Sequence, residues 1–190
     1  MDNKFLWLVS KGNPMPEGYE PVLETVSGDK QMEKTAAYMM RQMLEAAAED
    51  GIDLKVLSAY RSPEYQENLF QRNIERRMAN GMTYDEAYAD TAANVAKAGE
   101  SEHNLGLAAD LVTHTDYDVY EGFENTPQFE WLKNNAADYG FILRYPKGKT
   151  DITGYVYEPW HYRYVGPCSA KKIKNLDLTL EEYLAGNPVH

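Results

Sequence analysis

The sequence predicts an α+β fold, a small and mainly antiparallel sheet flanked by helices. Helical and strand patterns mix along the 190 residues without the strand–helix–strand rhythm that a parallel sheet needs. Helix starts carry explicit capping residues, Ser62, Thr83, Thr126 and Thr179 among them. Hydrophobic content of 43% and charged content of 26% are ordinary for a globular chain, and the length suits one compact domain. Residues 1–190 are read as that single domain, with an irregular lead-in over 1–30 and the core over 31–185.

In the lead-in, Gly12, Pro14, Pro16, Gly18 and Pro21 argue against helix, and one short strand is expected at 5–9. Ala36, Met40, Met43, Leu44 and Ala47 form an apolar stripe that predicts a helix over 31–49, stopped by Gly51. Leu54 to Tyr60 reads as a buried strand. Ser62 then caps a helix with Pro63 at its first position and Leu69, Ile74 and Met78 on its inner face. Thr83 with Glu86 is a capping box for a third helix ending near Ala98. Gly99 to Asn104 reads as a loop and Leu105 to Val112 as a strand. Thr126-Pro127 opens a helix carrying Phe129, Leu132 and Ala136, and Gly140 stops it. Phe141 to Tyr145 reads as a strand, Lys147 to Gly154 as a turn or hairpin tip, and Trp160 to Val165 as a further strand. Thr179 with Glu182 boxes a short terminal helix.

Charge excludes some partners. The net charge of −11 argues against nucleic acid, whose phosphates need clustered Lys and Arg, and against contact with an anionic membrane. No stretch approaches the ~20 apolar residues of a membrane span, and Phe5 to Val9 is too short for a signal-peptide core. Cys168 is the single cysteine, so no internal disulfide forms; it reads as a structural residue. The 15 tyrosines suit either core-edge packing or a groove for a polar polymer.

The chemistry lies in two strings about fifty residues apart, Ser101-Glu-His-Asn-Leu-Gly-Leu-Ala-Ala-Asp110 and Glu158-Pro-Trp-His-Tyr-Arg163. They offer two imidazoles, a carboxylate, and a second carboxylate that need not bind metal. That is the inventory of a catalytic zinc site with three protein ligands, an open position and a nearby base. His103, Asp110 and His161 are the candidate ligands and Glu158 the candidate base. Pro159 keeps Glu158 out of helix, so this is not the helical Glu-x-x-His face of a zincin. On a strand, His161 and Arg163 share one face, and Trp160, Tyr162 and Tyr164 the other. Trp160 serves either core packing or a wall of the site. His114 is a spare ligand in a polar Thr-His-Thr-Asp loop. Glu102 and Asp116 read as solvated loop acids, and His190 at the chain end as irrelevant. Arg61, where a strand hands over to a capped helix, presents a fixed fork of donors suited to a carboxylate or an oxyanion.

Ser58-Ala-Tyr-Arg-Ser62, then Ser101…His103…Gly106…Ala108…Asp110, then Glu158-Pro-Trp-His161 resemble, in this order, the VanY-type D-alanyl-D-alanine carboxypeptidase family. These are zinc D,D- and L,D-carboxypeptidases of peptidoglycan. Leu8-Val-Ser-Lys-Gly-Asn-Pro-Met-Pro16 is similar to the family's lead-in, so the resemblance runs from near residue 8 to about 184. It implies a Hedgehog/D-Ala-D-Ala peptidase-like fold and a hydrolase that removes the C-terminal D-alanine from stem peptides. It implies His103, Asp110 and His161 as ligands of Zn2+, Glu158 as catalytic base, and Arg61 against the scissile carbonyl oxygen. Ser101 and Gln66 match positions that hold the terminal D-alanine in L,D-type members, with Trp160 beside them at the substrate. Residues 76–99 are where members differ. A monomer acting outside the cytoplasm is implied, with the export or anchor segment absent from this sequence. The rival readings are an endopeptidase of the same wall, with a cleft open on both sides of the metal, and a wall-binding module with a structural zinc ion.

Overall fold

The computed structural model describes residues 3–113, 119 and 121–186. His114, Asp116 and His190 lie outside them. A four-stranded, wholly antiparallel sheet carries the chemistry, in the order β3 (Leu54–Ser58), β4 (Ala108–Thr113), β6 (His161–Tyr164), β5 (Phe141–Leu143). A separate hairpin, β1 (Leu23–Ser27) and β2 (Lys30–Glu33), turns at Gly28 and leads into α1 (Lys34–Glu49). The helices α2 (Pro63–Ala79) and α3 (Tyr84–Asn94) follow β3. Beyond β4 come α4 (Pro127–Asn135), the single turn α5 (Thr150–Thr153), α6 (Pro167–Asn175) and α7 (Leu180–Gly186).

α1 buries Ala36, Ala37, Met40, Met43 and Ala47 against the sheet, the stripe that the sequence marks, in the main core with Leu105, Leu107, Leu111, Phe123, Tyr162 and Tyr164. A second core joins β5 to α6 and α7 through Ile142, Val165, Ala170, Ile173, Leu180 and Tyr183. A third, small cluster of Phe70, Ile74 and Ala87 holds α2 to α3.

Several boundaries differ from those expected. Residues 4–6 make a 3-10 turn capped by the Asn3 side chain, not a strand, while Leu23–Ser27 supplies a strand inside the supposedly irregular lead-in. The helix expected from 31 begins at Lys34, because residues 30–33 pair with β1 and the Glu33 carboxylate caps the helix at Thr35 N and Ala36 N. On α2 the inner face is Phe70 and Ile74, whereas Met78 is exposed. α3 ends at Asn94, where β-branched Val95 turns extended. The strand expected from Leu105 starts at Ala108, since residues 102–105 form a 3-10 turn. α6 has no counterpart among the expected elements, and residues 150–153 form one helical turn rather than a hairpin tip.

β4 is central and all six of its residues are buried. Its register sets the site. Asp110 pairs with Ser58 on one side and His161 on the other, so three chemistry-bearing side chains sit in one cross-strand row. Gly106 takes φ +70°, and a Cβ there would lie 2.8 Å from the Glu33 backbone nitrogen. Its carbonyl accepts from that same nitrogen at 2.8 Å, which pins the His103 turn against the start of α1.

Candidate active site

His103 lies in the 3-10 turn just before β4. The Ser101 hydroxyl caps this turn by accepting from His103 N at 3.3 Å. The Asn104 side chain ties it down, donating to the Arg61 carbonyl at 2.6 Å and accepting from Gly99 N at 3.0 Å. Glu158 to His161 make a turn closed by the His161 N–H on the Glu158 carbonyl at 3.1 Å, with Pro159 presetting its second position. This turn brings a carboxylate and an imidazole three residues apart onto one side. Glu158 Oε2 is 3.7 Å from His161 Nδ1.

The structure brings His103, Asp110 and His161 together. All three are buried, and one ligand atom from each lies within 4.8 Å of the others. Asp110 Oδ1 is 3.4 Å from His103 Nε2 and 3.2 Å from His161 Nδ1. Tetrahedral zinc with bonds near 2.0–2.1 Å spaces its ligands by about 3.3 Å. The outward nitrogens are both engaged: His103 Nδ1 is 2.6 Å from the Ala59 carbonyl and His161 Nε2 is 3.4 Å from Glu102 Oε2. Two nitrogens and one carboxylate oxygen, oriented from behind, fit a zinc ion that retains a fourth position.

The electrostatics agree with a cation at this point. Burial opposes ionisation of Asp110, but the Arg61 guanidinium at 2.6 Å and the hydrogen bonds of the two imidazoles outweigh it and hold the carboxyl well below its usual range. Burial, reinforced by Arg61, pushes His103 down, which keeps it a neutral ligand. Burial also opposes charge on His161, yet Asp110 and Glu102 draw it up to about 9. Glu158 behaves differently. Burial raises it to about 7, against the pull of His161, so this carboxyl can take and return a proton near neutrality.

These groups floor a cleft of about 330 Å³, walled by α2 on one side and by Tyr145, Tyr155 and Trp160 on the other. Arg61 lies at its edge, with Nη2 on Asp110 Oδ2 at 2.6 Å and Nε on the Ser58 hydroxyl at 2.9 Å. It thus grips the candidate ligand as well as facing the cleft. Trp160 and Ser101 line the cleft, as does Gln66, whose Nε2 donates to the Ala96 carbonyl at 2.8 Å. Gln66 Oε1 is buried with no partner among the described residues.

Glu102 corrects an expectation. It is not a solvated loop acid; its side chain is fully buried between Arg144 and Arg163 at 2.7 Å each. Those cations outweigh its burial and hold it ionised, its pKa lowered from the usual carboxylate range. Sequence reasoning also missed Tyr145, which leans on the His161 ring at 4.9 Å, and Tyr155, stacked on Tyr145 at 4.5 Å. The available signal was the Arg144-Tyr145 pair at the end of the strand expected over Phe141 to Tyr145.

The family model for VanY, D-alanyl-D-alanine carboxypeptidase, matches residues 29–167. The chain belongs to this family. A D-alanyl-D-alanine carboxypeptidase of Enterococcus faecalis is 39% identical over 94% of the chain, which spans 65% of that relative's length. A zinc-bound variant of the vancomycin-resistance D,D-pentapeptidase VanY superposes with a TM-score of 0.85 at 38% identity, covering 95% of this chain and 99% of that one. The LD-carboxypeptidase LdcB, solved for its recognition of peptidoglycan, gives 0.81 at 38% identity, covering 95% and 86%. The sheet and helices are those of the Hedgehog/D-Ala-D-Ala peptidase-like fold expected from the sequence. The chain spans just under two thirds of the length of the first curated relatives it matches.

Proposed function

We propose that this family member is a zinc carboxypeptidase that removes the C-terminal D-alanine from peptidoglycan stem peptides. It acts as one monomeric catalytic domain outside the cytoplasm, without contact to the membrane. The observation that carries this reading is the convergence of His103, Asp110 and His161 beside a buried Glu158 poised near neutrality. His103, Asp110 and His161 would hold the ion. Zinc bound there would supply a Lewis acid and a water acidified toward a pKa of about 7.

Glu158 takes the proton from the attacking water and delivers it to the amine of the departing D-alanine. Its burial raises its basicity above that of an ordinary carboxylate, which favours the first transfer. Arg61 keeps Nη2 on Asp110 and offers the remaining edge of its fork to the oxygen that gains charge. Ser101 donates its hydroxyl to the terminal carboxylate. The unpaired Gln66 Oε1 accepts the N–H of the scissile amide, which orients the last residue. Trp160, with Tyr145 and Tyr155, excludes water from the far wall.

Incubation with defined tetrapeptide and pentapeptide stems, with the products identified by mass, tests this. Release of free D-alanine supports it. Release from the pentapeptide alone marks a D,D-enzyme, and from the tetrapeptide alone an L,D-enzyme. Cleavage only within cross-linked or longer peptides would replace it by the endopeptidase reading, and zinc binding without any cleavage by the wall-binding one.

A further inference from the structure

Glu102 sits beside one ligand, His103, in sequence and against the other, His161, in space. Its two carboxylate oxygens have separate tasks. Oε1 accepts from Arg144 Nε and from Arg163 Nη1, both at 2.7 Å. Oε2 faces His161 Nε2 at 3.4 Å. Asp110 faces Nδ1 at 3.2 Å, so the metal-free ring can hold a hydrogen on each nitrogen; an ionised carboxylate only accepts, so once Nδ1 is given up to an ion the remaining hydrogen belongs on Nε2 against Glu102.

The arginines lock that carboxylate in place from two distant parts of the chain. Arg144 continues to Glu181 on α7, with Nη1 at 2.9 Å and Nη2 at 2.6 Å. Arg163 uses Nη2 on the carbonyls of Phe5 at 3.1 Å and Trp7 at 2.9 Å. Arg144, Arg163 and Glu102 all have fully buried side chains. Glu181 already supplies a second negative charge, so the two arginines are balanced by two glutamates. Pairing the arginines therefore occupies Oε1 and leaves Oε2 for the imidazole.

We propose that Glu102 is a positioning residue of the metal site, fixing His161 in the tautomer and orientation that present Nδ1 to the ion. The His103 ring is set the same way by the Ala59 carbonyl, but there the acceptor is backbone and no side-chain change can remove it. The inference rests on the metal-site reading above.

Glu102→Gln separates this role from plain salt bridging. The amide oxygen can still accept from both arginines. The amide nitrogen then sits where Oε2 was and confronts Nε2–H donor to donor, which favours the other tautomer and puts the hydrogen on Nδ1. Zinc affinity of the purified protein, measured by chelator competition, should fall about 10- to 100-fold. Nitrogen-15 imidazole spectra of the metal-free protein, recorded above pH 9 where the wild-type His161 ring is neutral, should show His161 changing tautomer in the variant. Glu181→Gln, which strips the outer partner of Arg144 without touching His161, should lower thermal stability and leave zinc affinity unchanged.

A folded Glu102→Gln protein that binds zinc like the wild type overturns the proposal, and so does an equal loss of affinity in Glu181→Gln. If Glu102→Gln does not fold, Glu102→Asp decides. It keeps the charge for the arginines but is shorter by one methylene, about 1.5 Å, and cannot serve both sides at once. Reduced zinc affinity in that folded variant supports the proposal, and wild-type affinity overturns it. A wild-type protein that takes up no zinc would sink the metal site itself, whereas equal affinities in wild type and variant sink only the role of Glu102.

Discussion

The two walls of the cleft are built on opposite plans. On the sheet side, His103, Asp110, His161 and Glu102 are at most 5% exposed, and each has partners from more than one element. On the helix side, α2 lines the cleft with buried Gln66, half-buried Leu69, Asn73 and Arg77, and exposed Arg76, and Gln66 keeps a buried oxygen unpaired among the described residues. The contrast teaches where rigidity is needed. Ligand geometry tolerates errors of roughly half an ångström, so it is carried by strands and buried charge. The helix side rests instead on the small apolar cluster of Phe70, Ile74 and Ala87 that joins α2 to α3, and part of its cleft-facing surface reaches solvent.

Changes on the sheet side should therefore affect chemistry, and changes on the helix side affinity. The largest effect is expected from metal removal: chelation should abolish release of D-alanine while circular dichroism shows the helices retained. Unfolding on chelation would break the comparison, because the buried network, not the ion, is assigned to hold the sheet. Glu158→Ala should lower kcat by roughly 10²- to 10⁴-fold with zinc content unchanged, checked by metal analysis beside steady-state kinetics. Arg61→Ala should cost about 10²- to 10³-fold in kcat and also weaken zinc binding, since the same guanidinium grips Asp110. On the other wall, Arg76→Ala should raise KM by a small factor and leave kcat near wild type. A kcat loss as large as that of Arg61→Ala would erase the division between the walls. The smallest effect belongs to Ser62→Ala, which removes the cap of α2 at Tyr65 N and should cost about 1 kcal/mol in thermal or denaturant unfolding with zinc affinity intact.

The sequence made the candidate ligands legible because each is a scarce residue type in a short string with a turn signal beside it. Gly106 and Pro159 explain those turns, and the structure places both where the turns require them. The α1 stripe and the capping boxes at Thr83 and Thr179 were equally legible, since a helix writes its period and its start in local residues. Glu102 was not. Its burial depends on Arg144 and Arg163, 42 and 61 positions away, and a Ser-Glu-His loop gives no hint of them. β1 was hidden because proline and glycine before it dominated the reading of the lead-in. α6 was hidden because its apolar face is only Ala170 and Ile173, matched by a core that assembles from β5 and α7.

The row Ser58, Asp110, His161 crosses three neighbouring strands at one level. Strand side chains alternate faces, so one residue inserted into or deleted from β4 ahead of Asp110 would turn that carboxylate toward α1 and bring an alanine or a leucine to the metal. Drift in length is thereby forbidden along this short stretch, while the α2–α3 connection at Asn80 to Met82, exposed and remote from the row, is free to grow or shrink. A change of length in that connection leaves the row of Ser58, Asp110 and His161 in register, whereas the same change in β4 takes the candidate ligands apart.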